Sequence, residues 1–333
     1  MWDAVGHERA VAALQRGLDS DRVSHSSLIA GPPQVGKTTL ALDIARAVNC
    51  ESDDRPCSDC GQCRRISSGI HPDVRVVGLE KARSGRLRTL ISIEQVRDIQ
   101  REISLLPFEG RYRVIIFENA ELFSEEAANS LLKTLEEPPE SVLIILVATD
   151  TRALLPTIVS RCRLVQLRPV PTATIADLLV ERKSLSADRA REIAGIASGR
   201  VGWAVQAAED PDMLKRVSDV LDEVETVVRS PLTERFDYAA SLADRFPRDR
   251  RSVYSELELW LSWWRDVLLI GQERPELVSN VSRLESLSRA AESLAPTSVT
   301  NAIRTVMRTT FLLERNVSPR LALEGMMLKL PAV

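Results

Sequence analysis

Short apolar runs alternate with amphipathic stretches over the first half of the chain. Ser27–Ala30, Val74–Val77, Val114–Phe117, Val142–Ala148 and Arg163–Leu167 read as strands, and the near-continuous apolar character of Val114–Phe117 and Val142–Ala148 predicts a parallel sheet covered on both faces. Between them, Glu8–Leu18 places Val11, Leu14 and Leu18 on one helical face, and Thr39–Val48, Ile93–Leu105 and Glu125–Leu135 read as further helices. Ser92 with Gln95 forms a capping box, and Ser124 followed by Glu125 and Glu126 marks another helix start. Pro169 and Pro171 punctuate a change of character, beyond which no strand pattern is found. Ile175–Glu181, Asp188–Ala197 and Val201–Ala208 predict a compact three-helix unit, and longer helices follow Pro211. Leu257, Trp260, Leu261, Trp264 and Leu268 recur at helical spacing, which predicts core rather than a base-stacking platform. The expected organisation is an α/β domain over residues 1–168, a three-helix unit over 169–211 and an all-helical domain over 212–333.

One loop between a predicted strand and a predicted helix carries chemistry. Gly31-Pro32-Pro33-Gln34-Val35-Gly36-Lys37-Thr38 matches G-x-x-x-x-G-K-[ST] at every fixed position. Backbone N–H groups of such a loop ring phosphates, Lys37 places a point charge over the β and γ groups, and Thr38 offers a hydroxyl to Mg²⁺. Thr39 continues into the helix whose N-terminus faces the anion. The bland alternative, a glycine-rich turn with no ligand, fits the strand–loop–helix context poorly. The second half of the site departs from the usual pattern, since the strand Val114–Phe117 is followed by Glu118-Asn119 where P-loop ATPases commonly place Asp-Glu. Glu118 can still reach a metal's hydration shell. Asn119 can orient a water but cannot take its proton, so general-base catalysis is unavailable from that position. The expectation is a pocket that holds ATP with Mg²⁺ and hardly turns it over.

Composition adds exclusions. The 333 residues are 44% hydrophobic and 27% charged, with a net charge of −3, so no global basic field argues for autonomous nucleic-acid binding. The N-terminal residues lack a secretory pattern, and Val142–Ala148 is too short to span a bilayer, which leads us to expect a cytoplasmic protein without membrane contact. Four of the five cysteines, Cys50, Cys57, Cys60 and Cys63, form a C-x6-C-x2-C-x2-C cluster. In a reducing compartment that spacing favours a tetrahedral structural Zn²⁺ over disulfides, with redox-active thiols and an iron–sulfur cluster as the weaker alternatives. Cys162 stands apart and reads as a buried small residue.

Arg161, just beyond Val142–Ala148, presents five donors in a rigid fork suited to a γ-phosphate. Spacing alone leaves two readings open, an arginine finger acting on a neighbour's nucleotide and a surface salt bridge. Ser160-Arg161-Cys162, the four-cysteine insertion, His71-Pro72-Asp73 and the run Asn129–Pro139 together resemble the bacterial clamp-loader subunits of the AAA+ superfamily over roughly the first 210 residues. Within that family the chain is most similar to the delta-prime branch of DNA polymerase III. The resemblance implies an AAA+ P-loop domain with a zinc insertion at 50–63, a helical lid over 169–211 and a C-terminal collar. It implies nucleotide contacts from Gly31, Pro32, Gly36, Lys37, Thr38, Thr39 and Glu118, with Val5 and Gly6 on the adenine side. It puts Thr149 near the first sensor position and makes Arg161 a finger acting in trans. The second-domain sensor arginine would fall near Gly202, where this chain has glycine. The implied partners are the tau/gamma and delta subunits, the sliding clamp and, through the complex, primed DNA. A tau/gamma-type ATPase and a stand-alone zinc-containing nucleotide-binding adaptor are the alternative readings.

Overall fold

The computed structural model describes residues 1–20, 23–80, 88–315 and 317–332, and the chain divides into two compact units. The first comprises Met1–Ile175 with Gly199–Trp203; the second comprises Ala176–Ser198 with Ala204–Val333.

The first unit is built on a five-stranded parallel sheet of β1 (Ser26–Ala30), β2 (Val74–Val77), β3 (Arg113–Phe117), β4 (Val142–Ala148) and β5 (Arg163–Gln166), in the order β2-β3-β4-β1-β5. The central strands β1, β3 and β4 are buried along their whole length. Their side chains alternate between two cores. Leu28, Ile115, Phe117, Ile144 and Leu146 pack with Val96 and Ile99 of helix α4 (Ile93–Ile103) and Leu131 of α5 (Glu125–Glu136). Ile29, Val114, Ile116, Leu143 and Ile145 pack on the opposite face with Leu40 and Ile44 of α2 (Lys37–Asn49), and Val11 and Leu14 of α1 (Glu8–Asp19) lean against that core. This two-sided burial is what the unbroken apolar runs require. The Ser92–Gln95 capping box is formed in both directions. Helix α4 stops at Ile103 rather than Leu105, with Ser104 as its C-cap.

Helix α3 (Gly61–Ser67), which has no clear periodicity in the sequence, is tied to the sheet through polar side chains. His71 Nδ1 accepts from Asp73 N at 3.0 Å, so Nε2 carries the proton and donates to Gln62 Oε1 of α3. Asp73 is buried and accepts from the N–H groups of Phe108, Glu109 and Gly110 at 2.7–2.9 Å and from Arg113 at 3.1 Å. Burial alone would raise its pKa, but these donors outweigh it and hold the carboxyl at about 2. Its folded value therefore lies below the ordinary 3.8, so its contribution is complete above that value and disappears as pH falls through about 4 toward 2. We expect Asp73→Asn to lose roughly 1–2 kcal/mol at pH 7 and to flatten the acid limb between about pH 4 and 2. Denaturant titrations across that range test this; an unchanged acid limb in Asp73→Asn would rule it out.

Among the described residues the second unit holds helices and no strand. Beyond α7 (Thr172–Lys183), α8 (Ala187–Ala197) and α9 (Val201–Glu209), helices α10 (Pro211–Arg229), α11 (Leu232–Arg245), α12 (Arg250–Gly271), α13 (Leu284–Ser293), α14 (Pro296–Glu314) and α15 (Pro319–Lys329) share one apolar core. Trp260, Trp263 and Trp264 are fully buried there, Trp260 donates to the Tyr238 hydroxyl at 2.8 Å, and that hydroxyl donates to Glu256. The tryptophans are core, as their spacing predicts. The buried stripe is rotated from the expected one, however: Trp263 belongs to it, whereas Leu261 and Leu268 are only partly covered.

Candidate functional site

The phosphate-binding loop connects β1 to α2 at the carboxyl edge of the sheet, where open parallel sheets bind ligands. Two of its residues take left-handed backbone, Gln34 at φ 58° and Gly36 at φ 99°, and the latter supplies the freedom that α2 needs at its N-cap. The loop is braced from outside. His7 Nε2 donates to Val35 O at 2.8 Å, and the N–H groups of Asp3 and Ala4 donate to the buried Asp43 of α2, each at 2.8 Å. Val5 and Gly6 therefore lie between two anchors to the loop-and-helix unit. From the other side Gly202 N–H donates to Gln34 O at 2.8 Å, and a Cβ at Gly202 would sit only 3.1 Å from that oxygen. A backbone contact thus occupies the place where the resemblance would put a sensor arginine.

Within the loop, Lys37 is nearly covered and its Nζ donates to the carbonyls of Gly31 and Pro32, both at 2.7 Å. Burial pulls its pKa below the ordinary lysine value, and the nearby Glu121 carboxylate partly opposes that. Thr38 Oγ1 donates to Glu118 Oε1 at 2.9 Å. Glu118 directly follows β3, and its N–H is fixed by Val77 O at 2.8 Å, so the carboxylate after the apolar strand does face the Thr38 hydroxyl. Asn119 takes left-handed backbone at φ 53° and starts the 3-10 turn Ala120–Leu122. Pro33, Gln34, Gly36, Lys37, Thr38, Thr39, Glu118, Asn119, Val147, Thr149 and Gly202 line a cleft of about 350 Å³. The geometry gathers Lys37, Thr38, Glu118 and Thr149 around one space, and Glu121, which the sequence reading did not single out, is bound to Thr149 beside it. Thr149 donates to Glu121 Oε1 through both Oγ1 (2.8 Å) and its N–H (3.3 Å).

Arg161 is not part of that cleft. It follows the short helix α6 (Pro156–Val159), forms an ion pair with Glu136 at the end of α5 and donates to Thr157 O at 2.9 Å, its side chain about one-third exposed (33%).

Cys50 caps the C-terminal end of α2, Cys60 is the N-cap of α3, and Cys63 is the third residue of that helix. Their sulfurs and that of Cys57 all lie within 4.8 Å of one another. Tetrahedral zinc–thiolate geometry puts sulfurs about 3.8 Å apart, so the cluster fits a metal ion of this kind after small closure. Backbone N–H groups of Cys57, Cys60 and Cys63 point at the sulfurs of Cys50, Cys57 and Cys60 at 3.3–3.4 Å, an arrangement that stabilises thiolates. The N–H groups of Cys60 and Asp59 draw Cys57 down to about 6, while burial pushes Cys50 and Cys63 up. Four thiolates would fill a tetrahedral shell by themselves. Cys162 is half-buried, and burial lifts its thiol to about 12.

No helix among the described residues is long and apolar enough to cross a membrane. The family described as "DNA polymerase III, delta subunit" matches residues 6–171. Over 326 residues the chain is 29% identical to the DNA polymerase III subunit delta′ of Bacillus subtilis, which covers 97% of this chain and 95% of that protein. It is 37% identical over 163 residues to subunit tau of the same organism, covering 48% of this chain and 28% of that one. The match to subunit gamma/tau of Mycobacterium tuberculosis is 33% over 179 residues, 53% of this chain and 30% of that protein. The tau-type similarities span only about half of the chain, whereas the similarity to delta′ runs nearly from end to end; the chain belongs to the DNA polymerase III clamp-loader family.

Proposed function

We propose that this chain is a subunit that hydrolyses little or no ATP itself and completes the ATP site of a neighbouring tau/gamma subunit through Arg161. Assembled with tau/gamma and delta, it would help to open the sliding clamp and place it on primed DNA. One observation carries the reading: the position that would activate water in this chain's own cleft is the amide Asn119, whereas Arg161 stands outside that cleft with its guanidinium at the surface. An amide accepts no proton from water at neutral pH, and a surface guanidinium is available to an anion brought by another chain. The zinc centre, if filled by the four cysteines as their spacing favours, would hold the insertion at 50–63 rigid. Residues 169–211 would act as the lid and 212–333 as the collar that holds the ring together.

The test of the pocket is direct. Isolated protein with Mg²⁺ and ATP should release phosphate no faster than its Lys37→Ala variant, measured at steady state. Turnover well above that variant would favour the tau/gamma-type motor, a reading to which the intact phosphate loop lends support. Co-purification completes the test: failure to associate with tau/gamma and delta would favour a stand-alone nucleotide-binding adaptor.

A further inference from the structure

We propose that Glu121 makes this cleft selective for a nucleoside diphosphate over a triphosphate, by occupying the donor that a γ-phosphate would otherwise use. The inference rests on the reading that the phosphate loop of this chain holds nucleotide. It starts from how the polar groups of the cleft are already spent.

Lys37 and Thr38 lie on the loop and the first turn of α2, where β- and γ-phosphates and their metal are held in such loops. Thr149 follows the last residue of β4, the strand paired directly with β1, and lines the same cleft as Lys37 and Thr38. Its hydroxyl is thus a donor on the wall beyond the lysine. That donor is engaged: Oγ1 and the backbone N–H both give their hydrogens to the same oxygen of Glu121. Glu121 is the middle residue of the 3-10 turn that Asn119 begins, and its carboxylate is oriented by these two donors. Its other oxygen, Oε2, is buried and accepts no hydrogen bond from any described residue. The carboxylate also lies near enough to Lys37 to act on its charge.

These observations have one electrostatic consequence. A third phosphate reaching Thr149 would meet a carboxylate anion in a partly covered site and would have to break one existing hydrogen bond for each donor it gained. Like charges brought together away from bulk water are disfavoured, and a donor already satisfied adds little. A diphosphate ends short of Thr149 and meets mainly the loop N–H groups, Lys37 and Thr38. Glu118 contributes equally to both ligands, because it faces the Thr38 hydroxyl, which is common to them. Selectivity therefore belongs to Glu121 and not to Glu118.

The experiment measures binding of ADP and of a non-hydrolysable ATP analogue, each with Mg²⁺, to the full-length chain by calorimetry. Wild type should bind ADP at least as tightly as the triphosphate. Glu121→Gln, which keeps the shape and removes the charge, should tighten the triphosphate by about tenfold, a change of about 1.4 kcal/mol, and shift ADP by no more than about threefold. Glu121→Ala, which removes the carboxylate altogether, should tighten the triphosphate in the same direction. It keeps the test available should Glu121→Gln fail to fold. Two results would overturn the proposal alone: triphosphate bound more tightly than ADP by wild type and weakened by Thr149→Val, or equal changes for both nucleotides in Glu121→Gln. Phosphate release by wild type that is lost in Glu121→Gln would also overturn it, because the carboxylate would then be acting as a base on water. If neither nucleotide binds wild type at all, the reading of the loop as a nucleotide site fails with it.

Discussion

Purified protein will carry about one zinc ion per chain, and Cys60→Ser will lose that ion together with the order of residues 50–63. The size of the effect follows from how little else holds the insertion. Cys50 and Cys63 are buried, but Cys57 and Cys60 lie partly at the surface, and residues 51–59 contain no helix or strand. Without a metal, four thiols packed within 4.8 Å would rely on a few N–H···S contacts and the short helix α3. Structural zinc of this kind supplies about 10–16 kcal/mol of apparent binding free energy at pH 7, which is folding free energy for the segment it ties down. Metal analysis gives the stoichiometry, and limited proteolysis reports the segment, with cleavage expected at the exposed Glu51, Asp53 and Asp54 stretch in Cys60→Ser. Cys162→Ser, which removes a thiol outside the cluster, should leave both readouts unchanged. Stoichiometric zinc retained by Cys60→Ser would mean that these sulfurs are not its ligands. The damage should spread toward the cleft, because Cys50 caps the helix whose first residue is Lys37.

How much of this was legible in the sequence depended on how local each interaction is. The phosphate loop and the cysteine cluster are contiguous or nearly so, and their chemistry fixes spacing; the elements on either side of the loop form where the apolar runs put them. The strands were readable because two-sided burial leaves unbroken apolar runs, as in Val142–Ala148. Glu121 was not readable. It stands three positions beyond Glu118, in a 3-10 turn without an apolar period, and its partner Thr149 lies 28 residues away. Asp73 is similar: His71-Pro72-Asp73 stands out as a motif, but nothing in it says that the carboxylate gathers N–H groups from 35–37 residues further along. Gly202 could be recognised only as an exception to a family pattern, and the hydrogen bond that explains a glycine there depends on the approach of two distant backbone segments. Pairings that depend on the third dimension leave no period in one.

In a reconstituted clamp loader, Arg161→Ala should lower steady-state ATP hydrolysis at the neighbouring subunit by about 10³-fold or more, the range that separates sites with and without an arginine finger. In the isolated chain the guanidinium is held by Glu136 and Thr157 O. Both partners of the ion pair are well exposed, so that contact is worth about 1 kcal/mol at most and the unfolding midpoint of Arg161→Ala should hardly move. A large catalytic effect without a stability effect is what separates a finger from a structural salt bridge. The pair with Glu136 supplies the sharper control. If the guanidinium must leave that carboxylate to reach a partner's phosphate, Glu136→Ala will remove the competing contact and leave hydrolysis equal to or modestly above wild type. If instead the ion pair serves to hold α5 against the segment after α6, Glu136→Ala and Arg161→Ala will fall together and by the same small amount. Arg161→Lys sharpens the case further: it keeps the charge and could keep the ion pair, but loses the planar fork, so hydrolysis should stay close to that of the alanine variant. Full activity in Arg161→Ala would remove the residue from any role at the neighbour's nucleotide and leave its contact with Glu136 as the whole of its function.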